Sequence, residues 1–238
     1  HIDKIGAYRT HDDPMQIVSG ASYAPKVHFE APPSAATPRE MDRFLSWFNG
    51  SGPGGETPAP PVERAGVAHL WFECIHPYED GNGRIGRAIS EKALAQGREQ
   101  SVFTSLAAVL FDHRKAYYAE LELASRTLDA NRWLAWFAQR VLEAQRRSQD
   151  MVQFLIAKTR MLDRLRGTLN ERQEKALLRM FREGPRGFKG GLSAKNYMTI
   201  TGATPPTTTR DLKGLVDRGA LLRSASVKRP AIFSMSPC

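Results

Sequence analysis

The sequence predicts a mainly α-helical protein with a small β-hairpin near its N-terminus and a second, smaller domain at its C-terminus. Most of the chain between residues 38 and 165 carries apolar side chains at helical spacing. Two short β-prone runs around a glycine-containing turn precede this helical part. The composition shifts near Gly167, so we place the domain boundary there, with domains at 1–166 and 167–238.

The predicted hairpin spans about residues 8–30. An exposed strand edge of this kind can recruit an extended peptide through main-chain hydrogen bonds, and the alternative is an ordinary surface hairpin. The residues that carry the prediction are Ile17, Val18, Ser19 and Gly20 in the first strand and turn, and Val27 and Phe29 in the second strand.

Helices are predicted next. Thr37 is the expected N-cap of the first, and Glu40 completes its capping box. A Gly- and Pro-rich loop at 50–61 follows this helix. The predicted helices span residues 38–49, 62–75, 84–96, 101–127 (as one helix or two) and 130–165.

The loop at 76–87, HPYEDGNGRIGR, joins two of these helices and opens onto a helix N-terminus. Such a terminus has unpaired N–H groups and a partial positive charge. Gly81 and Gly83 let the backbone direct these N–H groups at an anion, and Asn82 can cap the helix. The loop therefore predicts an anion-binding site.

Four further side chains of the loop fit phosphate chemistry. Arg84 and Arg87 lie three residues apart, share one helix face and suit a di- or triphosphate. Asp80 is an oxygen ligand of the kind that Mg²⁺ takes beside substrate phosphates. His76 can accept a proton near neutral pH and activate a hydroxyl nucleophile. Singly these residues are typical of turns, caps and solvated helix faces, but together they indicate a catalytic site.

This loop resembles the signature of the Fic family, His-Pro-Phe-x-Asp/Glu-Gly-Asn-Gly-Arg-x-x-Arg, with Tyr78 in place of Phe. The resemblance implies a helical core and an enzyme that transfers AMP from ATP to a protein hydroxyl. It implies that His76 is the general base, that Asp80 holds Mg²⁺ and that Arg87 reaches the γ-phosphate. The residues implied to bind the α- and β-phosphates are Gly81, Asn82, Gly83 and Arg84.

The resemblance also implies roles outside the loop. It identifies the hairpin at 8–30 as a flap that holds a segment of a target protein. It implies that Tyr117 and Tyr118 line an adenine pocket, although a tyrosine pair is also typical of a core. Removal of AMP from a target, or transfer of another phosphate-containing group, remains an alternative because the motif does not fix the orientation of the substrate.

Control of the site is expected to act on Arg87. Fic enzymes are often inhibited by a helix with the pattern Ser/Thr-x-x-x-Glu-Gly/Asn, whose Glu pairs with the second arginine of the motif. The sequence lacks this pattern, since Glu183 is its only Glu before Gly and residue 179 is Arg. We expect that an N-terminal segment with the inhibitory helix has been lost, which leaves Arg87 unpaired and the enzyme derepressed. The alternative is a separate partner that supplies the helix.

The C-terminal domain is predicted to be a winged helix-turn-helix. Helices at 170–181, 193–200 and 205–218 precede two short strands around a polar turn, and many Fic relatives carry such a domain. The candidate DNA contacts are Thr208, Arg210 and Lys213 on the third helix and Lys228 and Arg229 in the wing. The alternatives are protein contacts or a homodimer. A further alternative for the whole chain is a DNA-binding regulator with a nucleotide-sensing core.

Composition limits the class of protein. The net charge is +9, and residues 140–189 carry thirteen Lys or Arg against six Asp or Glu, which suits phosphate-rich partners or solvated helix faces. No apolar run reaches transmembrane length, so no membrane partner is expected. The two cysteines, Cys74 and Cys238, do not form a disulfide framework and favour a cytoplasmic location.

Overall fold

The computed structural model describes residues 6–19, 23, 25–96, 105–127, 129–186, 188, 191–223 and 232–235. Gly20 of the predicted flap and Lys228 and Arg229 of the predicted wing lie outside the described residues. The chain divides into two compact units, His1–Ser148 and Gln149–Cys238. The division therefore falls earlier along the chain than the boundary predicted at residue 167.

The first unit contains the predicted helices, and the segment predicted as one helix or two is two, broken at His113. The last helix, α6, continues past the division into the second unit. These helices are α1 Thr37–Gly50, α2 Pro61–Ile75, α3 Asn82–Ala95, α4 Leu106–Asp112, α5 Arg114–Thr127 and α6 Asn131–Arg164.

The helix α2 lies in the middle of this unit, and small residues let its neighbours approach it. A Cβ on Gly66 would lie 2.8 Å from Cδ2 of Leu134 and 3.1 Å from Cδ1 of Phe137, so α6 packs directly on the α2 backbone there. The indole N–H of Trp133 donates to the Gly66 carbonyl at 2.8 Å. Packing and a buried hydrogen bond together fix α6 against α2.

The predicted N-cap of α1 is wrong. A short 3₁₀ turn at Ser34–Ala36 runs directly into the helix, so Ala36 occupies the N-cap position and makes no side-chain cap bond. Thr37 already has helical dihedral angles, φ −54° and ψ −47°, whereas a capping side chain needs an extended backbone. The Thr37 hydroxyl is instead buried without a hydrogen-bond partner among the described residues.

The predicted hairpin is present as β1, Gln16–Ser19, and β2, Lys26–Glu30, which pair antiparallel. The register shifts between Ile17, which faces Phe29, and Val18, which faces Val27, so the hairpin contains an irregularity at this point.

Among its described residues, the second unit holds the end of α6, three further helices in the predicted order and a small antiparallel sheet. The first strand of this sheet, Leu192–Ser193, was not predicted. Asn170 caps the first of the three helices in a capping box with Gln173. Ser193, predicted as the first residue of the second helix, is its N-cap. The sheet order is β3-β5-β4. These elements are α7 Glu171–Arg182, β3 Leu192–Ser193, α8 Ala194–Thr201, α9 Pro205–Asp217, β4 Leu221–Arg223 and β5 Ile232–Met235.

A buried carboxylate joins the three helices of the second unit. Asp211 of α9 accepts hydrogen bonds from Nδ2 of Asn170 at 3.0 Å, from Nε of Arg172 at 2.8 Å and from the Tyr197 hydroxyl at 3.0 Å. Burial alone raises the pKa of Asp211, but these hydrogen bonds lower it below its usual value. The charged form therefore holds α7, α8 and α9 together.

Among the described residues, no helix combines the length and apolar character that crossing a membrane requires.

Candidate active site

His76 lies where α2 ends and the loop begins. Its backbone is left-handed, with φ 47° and ψ 59°, and no other non-glycine residue in the described part of the chain has a positive φ. Such a conformation in a residue with a Cβ is strained by about 1–3 kcal/mol, and residues strained in this way cluster at active sites. The N–H of His76 still donates to the Phe72 carbonyl at 3.0 Å, so the residue is tied to the last turn of α2.

The hydrogen bonds of the imidazole assign its tautomer. Nδ1 lies 3.3 Å from the main-chain carbonyl of Glu73, and a carbonyl only accepts, so Nδ1 carries the hydrogen and Nε2 is the acceptor. Burial lowers the pKa of His76; the bond to the Glu73 carbonyl raises it and the charge of Arg9 lowers it further. A neutral imidazole with a free Nε2 lone pair is the form that a general base needs.

Asn82 closes the loop that follows. Its side chain is buried; Oδ1 accepts from the Tyr78 N–H at 3.0 Å and Nδ2 donates to the Tyr78 carbonyl at 2.7 Å. Gly81 precedes it with φ 88°, a conformation that a side chain would strain. These contacts set the N-terminus of α3 beside the loop. The N–H groups of Arg84 and Ile85 donate to the Gly81 carbonyl at 3.0 Å, so the N–H groups of Asn82 and Gly83 are the ones that can meet an anion.

The charged residues of the loop differ in exposure: Asp80 and Arg84 form an exposed ion pair, whereas Arg87 is half-buried. The Asp80 carboxylate accepts from the Gly81 N–H at 2.6 Å and pairs with Nη2 of Arg84 at 3.0 Å, and both side chains are exposed. Arg87 is half-buried, and its Nη1 lies 3.3 Å from the position of a Cβ on Gly83. Glycine at position 83 therefore lets the guanidinium lie close to the α3 backbone.

Glu73 is a residue of this site that the sequence analysis missed. It is 3 % exposed, and its Oε1 has no hydrogen-bond partner among the described residues. Oε2 lies 3.9 Å from Nδ1 of His76, and Oε1 lies 4.0 Å from Nε2 of His69. Burial raises the pKa of Glu73 to about 7, against a lowering effect of the Arg87 charge. The only sequence signal for its proximity to His76 is the spacing of three residues, which places the two side chains on one helix face.

Gly86 makes room for this carboxyl group. A Cβ at position 86 would lie 2.6 Å from Oε1 of Glu73, closer than side chains pack. Packing therefore requires a glycine at position 86, because the carboxyl group of Glu73 lies directly against the backbone of α3.

A buried hydrogen-bond chain holds α2, α3 and α5 together. The Ser90 hydroxyl donates to the Gly86 carbonyl at 2.9 Å and therefore accepts from Nδ1 of His69 at 3.0 Å. Nε2 of His69 then accepts from the Tyr117 hydroxyl at 3.0 Å. Burial lowers the pKa of His69 to about 4, so this histidine is a neutral structural residue.

Tyr117 is consequently a core residue, and its predicted role in an adenine pocket is not supported. Its hydroxyl is used by His69, and its ring lies between the rings of Trp133 and Tyr118, at 6.0 Å and 5.1 Å between centroids. Tyr118 is half-buried beside it. The helix period places one tyrosine inward, and sequence alone does not say which one.

The hairpin presents an apolar pair to its surroundings. Val18 and Val27 face each other across the strands and are 46 % and 40 % exposed. Phe29 packs against the core of the first unit, so it anchors the hairpin. The backbones of Ile17 and Ser19 lie in β1.

On α9, two of the three candidate DNA contacts are accessible. Arg210 and Lys213 are exposed. Thr208 is 1 % exposed, so the prediction that it contacts DNA is wrong; helix periodicity turns this position toward the interior, together with Asp211.

Part of the chain is similar to known proteins. Residues 1–94 match the model of the Fic/DOC family. This part of the chain is similar to Fic/DOC domains. A Fic family protein of Desulfovibrio desulfuricans G20, known from a crystal structure, superposes with a TM-score of 0.54 at 23 % identity, over 99 % of this chain and 64 % of that one. That likeness supports the fold.

Curated relatives of the Fic domain are named as adenylyltransferases. A probable protein adenylyltransferase of Aquifex aeolicus is 28 % identical over 117 residues, which cover 49 % of this chain and 30 % of that protein. The protein adenylyltransferase Fic of Culex quinquefasciatus is 32 % identical over 85 residues, 36 % of this chain and 15 % of its own length. The corresponding protein of Caenorhabditis elegans is 27 % identical over 86 residues, 36 % of this chain and 15 % of its own length. The similarity thus spans less than a third of each relative.

Proposed function

We propose that the protein is a protein adenylyltransferase, which transfers AMP from ATP to a Ser, Thr or Tyr hydroxyl of a target protein. The observation that carries the proposal is the placement of His76 at the turn between α2 and the anion-binding end of α3, with Nδ1 3.3 Å from the Glu73 carbonyl, so that Nε2 is left to accept a proton. The names of the curated relatives support AMP as the transferred group.

In this proposal Nε2 of His76 removes the proton from the attacking hydroxyl as its oxygen approaches the α-phosphorus in line with the leaving pyrophosphate. The imidazole then carries a positive charge on a ring whose Nδ1 lies 3.9 Å from Oε2 of Glu73. Above pH 7, where Glu73 is charged, this carboxylate stabilises the imidazolium.

The phosphates bind at the N-terminus of α3. The N–H groups around Gly83 and the guanidinium of Arg84 receive the α- and β-phosphates, and Arg87 receives the γ-phosphate. The Asp80–Arg84 ion pair is exposed and opens when the nucleotide binds, because surface pairs of this kind are worth only about 0–1 kcal/mol.

Asp80 is proposed to hold Mg²⁺. Among the described residues no group of three or more His, Cys, Asp or Glu side chains could hold a metal. At sites of phosphate chemistry Mg²⁺ usually takes one or two carboxylates together with substrate phosphates. The exposed Asp80 carboxylate beside the anion-binding end of α3 fits the single protein ligand that such an ion needs. When bound, Mg²⁺ neutralises charge on the phosphates of ATP.

The hairpin of β1 and β2 is proposed to hold the target segment. An extended peptide would pair with a free strand edge through main-chain bonds, which is tolerant of its sequence. The exposed pair Val18 and Val27 offers one apolar contact for a target side chain.

The test is mass spectrometry of the protein after incubation with ATP and Mg²⁺. A mass gain of one AMP on a protein hydroxyl, lost in His76→Ala, supports the proposal. His113→Gln is the matched control, because this histidine pairs with Glu143 at the surface, and none of its described hydrogen bonds involves the loop. A gain of phosphate alone supports kinase-like transfer, and loss of AMP from a pre-modified target with no gain from ATP supports de-AMPylation.

We further propose that the second unit is a winged helix-turn-helix that binds DNA. The order of α7, α8 and α9, the hairpin of β4 and β5 and the exposed Arg210 and Lys213 support this. Binding to duplex DNA should weaken in Arg210→Ala and Lys213→Ala and fall with added salt, whereas Lys175→Ala, which removes an exposed charge from α7, should not weaken it. Equal affinity of all three variants would point to a protein-binding or dimerising domain.

A further inference from the structure

Arg9 binds the carbonyls of the turn that carries His76. Its Nε donates to the His76 carbonyl at 2.8 Å and its Nη2 to the Ile75 carbonyl at 3.3 Å. The main-chain N–H of Arg9 donates to the Pro77 carbonyl at 2.9 Å. One residue, 67 positions away in the chain from His76, thus binds three consecutive carbonyls around the strained backbone of the proposed base.

The same guanidinium also binds the chain on the far side of the hairpin. Nη1 donates to the Ser34 hydroxyl at 2.9 Å, and Nη2 donates to the Pro32 carbonyl. The Ser34 hydroxyl in turn donates to the His11 carbonyl at 2.6 Å. Because Arg9 precedes β1 and Pro32 follows β2, both ends of the hairpin are tied to one side chain.

Only an arginine can make these contacts together. Arg9 is 2 % exposed, and its described partners are carbonyl and hydroxyl oxygens arranged around a planar group. A guanidinium has five N–H donors in a fixed fork, whereas a lysine ammonium has three donors at a single point. The cation also lies at the C-terminal end of α2, where the helix dipole is negative.

We propose that Arg9 is a positioning residue that couples the hairpin to the base: it fixes the turn of His76 and both ends of β1–β2 with one guanidinium, and so sets the place of a target hydroxyl relative to Nε2. This inference rests on the proposed transferase function. It concerns how the base and the target segment are aligned, a placement on which rates depend steeply, with about 100-fold lost for a shift of about 1 Å.

Two variants separate positioning from folding. Arg9→Lys keeps the charge and fills most of the volume but cannot reach all four side-chain acceptors. The matched control is Arg64→Lys, because Arg64 is equally buried and donates to Ser51, Gln96 and the Phe48 carbonyl, away from the loop. Both variants remove buried arginine hydrogen bonds, and only one of them touches the turn of His76.

The first measurement is the rate of self-labelling with Mg-ATP across ATP concentrations. We expect Arg9→Lys to lower the maximal rate by about 10- to 100-fold while the ATP concentration for half-maximal rate changes less than about 3-fold. We expect Arg64→Lys to keep the wild-type maximal rate within about 2-fold. A folded Arg9→Lys with the wild-type rate, or an equal loss in both variants, overturns the inference.

The second measurement does not depend on activity. The imidazole nitrogens of His76 are followed by NMR through a pH titration in wild type and Arg9→Gln, with the His76→Ala spectrum for assignment. The charged groups described next to the ring are Arg9 and Glu73, and Arg9 lowers the pKa of His76. Removing Arg9 should therefore raise this pKa and weaken the preference for the Nδ1–H tautomer.

The two measurements distinguish the two failures. If wild type transfers nothing from ATP, the proposed function fails, while a raised His76 pKa in Arg9→Gln still supports the placement of the base by Arg9. If wild type labels itself and the His76 titration is the same in wild type and Arg9→Gln, the coupling by Arg9 is refuted and the transferase function stands.

Discussion

Replacing Glu73 by Gln should change how the stability of the first unit depends on pH. Burial raises the pKa of Glu73 from 4.5 to about 7, so the folded state binds this proton more tightly than the unfolded chain. The stability that this proton contributes is complete below pH 4.5 and is lost as the pH rises through 7. At ~1.4 kcal/mol per pKa unit, the loss is about 3 kcal/mol.

The neighbouring His69 has the opposite dependence. Burial lowers its pKa from 6.5 to about 4, so its contribution is complete above pH 6.5 and is lost as the pH falls through 4. The two windows overlap, and the two effects are of similar size, so in wild type they largely cancel. Glu73→Gln removes one of them. Its free energy of unfolding should therefore rise by about 3 kcal/mol between pH 4 and pH 7, relative to wild type.

Urea unfolding followed by tryptophan fluorescence measures this directly, because all four tryptophans lie in the first unit. Glu63→Gln is the control: it removes the same charge from an exposed position on α2 and should leave the pH curve of wild type unchanged. Curves for Glu73→Gln and wild type that stay parallel within about 1 kcal/mol from pH 4 to pH 8 would refute the burial argument for Glu73.

Three other substitutions test the packing around the site and the second unit. Gly86→Ala places a Cβ 2.6 Å from Oε1 of Glu73. The overpacking should lower the free energy of unfolding by about 1–3 kcal/mol, which exceeds the gain of about 1 kcal/mol from helix propensity. In a double-mutant cycle Glu73→Ala should relieve this loss, and additive effects would contradict the packing argument. Tyr117→Phe leaves Nε2 of the buried His69 unpaired and should lower the free energy of unfolding by about 1–3 kcal/mol. The ATP concentration for half-maximal rate should stay within about 2-fold of wild type. A weakening of ATP binding by more than about 10-fold would show that Tyr117 contributes to the nucleotide pocket. Asp211→Asn should destabilise the second unit by about 2–3 kcal/mol at neutral pH, because it weakens the hydrogen bonds to Asn170, Arg172 and Tyr197. Thermal unfolding followed by circular dichroism measures this loss. Because the folded-state pKa of Asp211 is lowered, that difference should shrink as the pH falls through it, and a difference that persists in acid would exclude the charge as its cause.

Much of the fold could be predicted because its signals are local. Helical spacing of apolar residues located the helices of the first unit to within a few residues. The prediction was wrong at Thr37, where the preceding 3₁₀ turn displaces the cap by one residue. A residue can act as an N-cap only if its backbone is extended, and the amino-acid composition does not determine this backbone conformation.

The site likewise has a part that the local sequence predicts and a part that it does not. The loop from His76 to Arg87 was recognisable because an anion site at a helix N-terminus needs its glycines, arginines and carboxylate close together in sequence.

The sequence by itself determined the helices, the hairpin and the loop, since each depends on neighbours within a few residues. Only the tertiary structure decided that Tyr117 and Thr208 face the interior, that Glu73 lies under the loop and that Arg9 binds its carbonyls. The reason is physical: burial and long-range hydrogen bonds depend on which helices and turns meet in space, and chain spacing does not contain that information.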